Sequence, residues 1–217
     1  KIILFYEGKK RDFLYLTSFF LLILLSGSRV SMLGVALALL LRFGISFRSI
    51  SLYFFVVLGL YFISDFLGTG SSTSRLVSTD IISNRVLEFK YAYETFQSKW
   101  LTGYGLSHYA YIDQSLIGVE HEHLHIGAHN GYLAVMVQYG LIFATTFFIF
   151  LFKYLFSIFK YVRHHWQNNK VKFLSFIILF TLTNGFVETM ITGINDFQTC
   201  LFWLSFGYLY SQAYQWR

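Results

Sequence analysis

The chain has 217 residues, 55% of them hydrophobic and 21% aromatic, with only 13% charged and a net charge of +6. That balance lies far from a soluble domain and is the composition of a membrane protein. The basic residues gather in short loops between apolar runs with no aromatic-interleaved basic groove, so the charge suits anionic lipid headgroups, and no nucleic-acid partner is expected. The chain starts at Lys1 without Met or a signal-peptide pattern, so the expectation is a fragment with spans missing upstream. The lone Cys200 sits inside an apolar run and reads as packing filler.

A membrane-spanning helix needs roughly 20 mostly apolar residues. Taken in order, the apolar runs predict spans at about 12–27, 30–46, 50–67, 130–152, 172–190 and 197–214. The first two are separated by "SGSRVS" and read as a tight hairpin, since one helix over 12–46 would be about 50 Å long at 1.5 Å per residue. With a cytoplasmic start, twelve Lys and Arg fall inside and five outside, as the positive-inside rule favours. The fold class is therefore an all-α polytopic membrane protein with about six transmembrane helices. Its parts are three spans over 1–67, an extracytoplasmic loop over 68–129 and three spans over 130–217.

A loop of about 62 residues is usually functional or disordered, and this one carries helical periodicity. Ile82, Val86, Phe89, Tyr93, Phe96 and Trp100 recur at spacings of four and three, which predicts an amphipathic helix lying on the membrane or on the spans. Ser78, Thr79 or Asp80 would cap it. Glu88 stands one turn after Arg85 and suits a surface ion pair with it. "LTGYGLSHYAYIDQS" follows, with Gly103 and Gly105 suited to a turn; Tyr104, Tyr109 and Tyr111 suit either sugar stacking or an interfacial aromatic belt.

Chemistry-bearing residues collect on the outer face. Arg29 stands at the rim of the first hairpin, where an unpaired arginine is costly. Arg85 opens the loop helix, and His129 ends the loop in "GAHNGYL", where Asn130 suits a helix cap. Two guanidinium forks match a diphosphate without a metal, and a histidine with an ordinary pKa near about 6.5 can take a hydroxyl proton. His121, His123 and His125 alternate with Glu120 and Glu122, yet the spacing fits no zinc signature, and no Asp-x-Asp cation pair is present. The expectation is chemistry with no metal and no other cofactor. In a competing reading, a non-enzymatic transporter or flippase component of polysaccharide export, Glu188 and Asp196 near the outer span ends and Asn184 within a span would matter more.

The order "SGSRVSMLGVALALLL", "NRVLEFKYAYETFQSKWLTGYGLS", "GAHNGYLAVMVQYGLIFATTFFIFLF" resembles the C-terminal half of the O-antigen ligase and O-antigen polymerase family of bacterial membrane glycosyltransferases. The resemblance covers about 28–152 and implies a GT-C-like membrane fold. It further implies an inverting, metal-independent transfer from an undecaprenyl-diphosphate-linked oligosaccharide to a hydroxyl of a glycan or of the lipid A core. On this pattern His129 is the catalytic histidine, and Arg29 and Arg85 hold the diphosphate. Ser28, Gly103, Gly105 and Asn130 are supporting positions. Phe89 replaces a tryptophan common after the loop arginine, and the proline that often precedes the GxG turn is absent. The implied location is the bacterial cytoplasmic membrane, multi-pass, with the loop facing the periplasm or exterior. A polymerase is favoured over a ligase.

Overall fold

The computed structural model describes residues 34–38, 41, 80–106, 112–118, 129–186, 188–189, 191 and 196–216, without the side chains of 80–85. All regular structure among them is helical. The order is α1 (Asp80–Ser98), a 3-10 turn (Gln114–Leu116), α2 (Gly131–His164), α3 (Asn169–Asn184) and α4 (Phe197–Trp216). The chain forms two compact units, one of residues 1–79 with 166–180 and the other of 80–165 with 181–217.

In the first unit, residues 34–38 are helical, inside the run predicted as the second span. Gly34 lies against the Phe180 ring, where a Cβ would stand 3.2 Å from it, and Val35 and Ala38 are buried. On α3, Val171, Ser175 and Ile178 are buried at spacings of four and three, the mark of one packed helix face. The predicted spans 12–27 and 50–67 lie outside the described residues.

The second unit is organised by α2, which among the described helices is the one long and apolar enough to cross a membrane. It begins where predicted, but it continues past 152 to His164. Nothing in "FKYLFSIFKYVRH" breaks a helix, and lysine can lie along apolar surface while its charge stays wet, as Lys160 does over the Phe156 ring at 4.8 Å. α3 ends at Asn184, short of the predicted 190, just before Gly185. α4 packs along α2 with Phe202, Leu209 and Ala213 buried, and Asp196 caps its start by accepting from the Thr199 backbone (3.2 Å) and hydroxyl (3.1 Å). Cys200 is exposed on α4 rather than packed, so the filler reading does not hold.

α1 forms where the periodicity places it but presents the opposite face to the protein. Val86, Phe89, Tyr93 and Trp100 are exposed, whereas Tyr91, Ala92 and Thr95 are buried, packed with Ile112, Leu87, Ile117 and Leu133. Small and hydrogen-bonding side chains mark the buried face because Thr95 works as a joint: its hydroxyl donates to Tyr91 O (2.7 Å) and accepts from Asp113 N (2.9 Å).

Beyond the packing of Leu133 against Tyr91 and Ala92, the chain leaving α1 is tied to α2 through backbone hydrogen bonds. α2 breaks at Gly140 (φ 70°, ψ 173°), which frees carbonyls before the break and an N–H after it. The chain leaving α1 satisfies them: Tyr104 N donates to Val137 O (2.9 Å), Gly105 N to Gln138 O (2.7 Å), and Leu141 N donates back to Trp100 O (2.7 Å). Gly103 and Gly140 both have positive φ, and a Cβ on either would strike the other segment's backbone. The contact thus requires two glycines 37 positions apart.

Candidate functional site

The start of α2 is stitched to the segment after α3. Asn130 caps α2 by accepting from Leu133 N at 2.8 Å, and its amide donates to Phe186 O at 3.1 Å. Gly131 N donates to Gly185 O (2.7 Å) and Glu188 O (3.0 Å), and the Tyr132 hydroxyl donates to Leu182 O (2.7 Å). A Cβ at residue 131 would stand 3.1 Å from Glu188 O, so glycine permits the close approach. These bonds answer donors at the head of one helix with carbonyls at the tail of another.

The stitching sets the Glu188 carboxylate beside His129, with Oε2 3.1 Å from Nδ1. On the other side of the ring, Glu88 Oε1 of α1 stands 3.7 Å from Nε2, beyond hydrogen-bond length. The His129 side chain is 37% exposed, Glu188 29% and Glu88 13%, so the ring is open to a substrate while Glu88 is nearly enclosed. An ionised carboxylate only accepts, so in the tautomer that donates from Nδ1 to Glu188 a neutral ring turns the Nε2 lone pair toward Glu88, and a protonated ring pairs with both carboxylates. A small cavity of about 10 Å³ opens there, lined by Glu88, Phe89, Ala92, His129, Asn130 and Leu133.

A histidine hydrogen-bonded to a carboxylate at Nδ1, with a second carboxylate beyond hydrogen-bond length from Nε2, is an arrangement able to take a proton from a hydroxyl. The sequence suggests an ion pair of Glu88 with Arg85 and gives Glu188 a part in the transport reading; both carboxylates also face His129. The 59 positions between His129 and Glu188 hide the pairing, and the only signal is that both stand at the same ends of predicted spans. Arg85 lies on α1 one turn before Glu88, with its side chain outside the described residues. Ser28, Arg29, Glu120, His121, Glu122, His123, His125, Tyr109 and Tyr111 also lie outside them. Among the described residues no group of three or more His, Cys, Asp or Glu is arranged to hold a metal.

Gly103 and Gly105 do form a turn, at φ 69° and 68°, and its role is to close the break in α2. Tyr104 stands within it, half-buried. Its hydroxyl donates to Asp113 Oδ2 (3.2 Å) and lies 2.6 Å from Ser98 Oγ, while Lys99 Nζ covers its ring at 4.5 Å.

The model of the O-antigen ligase family matches residues 13–149, more than half of the chain. The chain belongs to the O-antigen ligase family. The matched stretch contains Ser28 and Arg29, α1, the glycine turn and His129 with the head of α2, and it stops before Glu188. No curated protein and no solved structure matches the chain. Membership of the family brings membrane association, glycan and lipid-linked substrates, and an enzyme class of the O-antigen ligase or polymerase type.

Proposed function

We propose that the chain is a polytopic glycosyltransferase that moves a saccharide from an undecaprenyl-diphosphate carrier to a hydroxyl of a glycan acceptor, with His129 as the base. The observation that carries this reading is the His129–Glu188 pair at the head of α2, inside a chain of the O-antigen ligase family. The acceptor oxygen attacks the anomeric carbon from the face opposite the diphosphate while its proton passes to Nε2. As the new bond forms, the carbon–oxygen bond to the diphosphate breaks, and the leaving group keeps the electron pair. Configuration inverts, and no metal is needed. Arg29 and Arg85 neutralise the diphosphate, which a guanidinium fork does better than an ammonium.

In this reading six helices cross the cytoplasmic membrane, and the 68–129 segment with the head of α2 faces the periplasm or cell exterior. Polymerisation of a lipid-linked glycan is favoured over transfer to lipid A core. Deleting the gene tests which: single repeat units accumulating on the carrier indicate a polymerase, complete chains a ligase, and no accumulation of carrier-linked saccharide removes the transferase assignment. For the arginines, Arg29→Ala and Arg85→Ala should each raise the donor KM more than the Lys substitutions do. Unchanged donor use in both Ala variants would remove them from diphosphate binding.

A further inference from the structure

We infer that Glu88 binds the acceptor: its carboxylate and His129 Nε2 together receive two neighbouring hydroxyls of the acceptor sugar. The inference rests on the reading of His129 as the base. With Nδ1 engaged by Glu188 at 3.1 Å, the neutral ring turns an acceptor nitrogen toward Glu88 Oε1 at 3.7 Å. In the neutral ring that a base requires, Nε2 and Oε1 are two acceptors facing each other, and a donor placed between them bridges both. In that state a ligand hydroxyl supplies the bridging proton.

The cavity at the gap fixes how much of that ligand enters. About 10 Å³ is room for roughly one water, so it admits one hydroxyl oxygen and excludes a sugar ring. That hydroxyl has a single proton, which goes to Nε2 in the reaction, and it has none left for Glu88. The second donor must come from the same substrate outside the cavity. On a pyranose the hydroxyl on the adjacent carbon lies within hydrogen-bond reach of the first, which sets it against Glu88. A carboxylate accepts several hydrogen bonds, so Glu88 can receive this one while keeping its other interactions. Ala92 and Leu133 line the cavity as apolar wall, and Glu88 is nearly enclosed, so its bond to the sugar is made largely out of water and discriminates strongly. The acceptor class is a sugar with a free hydroxyl next to the one that reacts. A neighbour that is deoxygenated or acylated is rejected.

The test uses the protein in proteoliposomes, with carrier-linked saccharide extracted from the host envelope held saturating and a fragment of the host's own glycan varied as acceptor. Glu88→Gln should raise the acceptor KM at least about 10-fold while the donor KM stays put. Slow transfer to water, read as free saccharide, should fall less than transfer to sub-saturating glycan, because water makes no second bond to Glu88. Glu88→Asp, which keeps the charge but withdraws it by one methylene, should raise the acceptor KM too and is read in place of Glu88→Gln if that variant does not accumulate. A lower kcat at unchanged acceptor KM, or equal slowing of transfer to water, would show that Glu88 acts on the imidazole and would overturn the assignment. His129→Ala separates the two claims. If it still transfers, the base falls and Glu88 with it; if it is inactive while Glu88→Gln keeps the parental acceptor KM, only Glu88 falls.

Discussion

The two ends of α2 are held by different forces. At its head, capping by Asn130, the Gly131 bonds to Gly185 and Glu188, and the Tyr132 bond to Leu182 fix position atom by atom, and the glycine lock at Gly140 adds three more backbone bonds. At its far end contact is aromatic: Tyr154 meets Tyr210 edge-on at 4.7 Å, and Trp216 meets Tyr161, His164 and His165 at 6.2, 4.8 and 5.8 Å. Hydrogen bonds tolerate errors of a few tenths of an ångström, whereas ring packing adapts by rotation and sliding. The directional bonds stand where a histidine must meet two carboxylates, and the adaptable packing stands where a helix need only be held upright.

The largest effect should come from Gly103→Val. A β-branched residue at φ 69° is strained, and its Cβ would meet the backbone at Gln138 and Gly140, which cannot yield as a flexible side chain would. A loss of at least about 3 kcal/mol is expected, read as a lower thermal midpoint in detergent together with lost transfer. Next comes Glu188→Gln, which should leave the midpoint near the parent's but slow transfer about 10- to 100-fold, as an amide holds the ring without favouring its protonated form. Smallest is Tyr210→Leu at the far end, which should cost about 0.5–1.5 kcal/mol and leave transfer rates unchanged. Equal sensitivity of transfer to Tyr210→Leu and Glu188→Gln would erase the distinction between the two ends.

Much of this was legible in the sequence where neighbours in the chain are neighbours in space. The helix at 80–98, the Asn130 cap and the start of α2 follow from local pattern. The buried face of α1 did not, because Val86, Phe89, Tyr93 and Trp100 outweigh Tyr91, Ala92 and Thr95 in any apolar count, yet the latter three are the ones buried. The GxG turn was readable, but its partner Gly140 lies inside an apolar run, where a lock between distant backbones leaves no periodic mark. Glu188 escaped for the same reason: only the folded chain brings it to His129.

The most direct test is His129→Ala in cells lacking the parental gene, scored by surface glycan and by saccharide left on the lipid carrier. The account predicts inserted protein in normal amount, surface glycan reduced as in the deletion, and the same carrier-linked saccharide accumulating. Surface glycan of normal amount and chain length from that variant would contradict it.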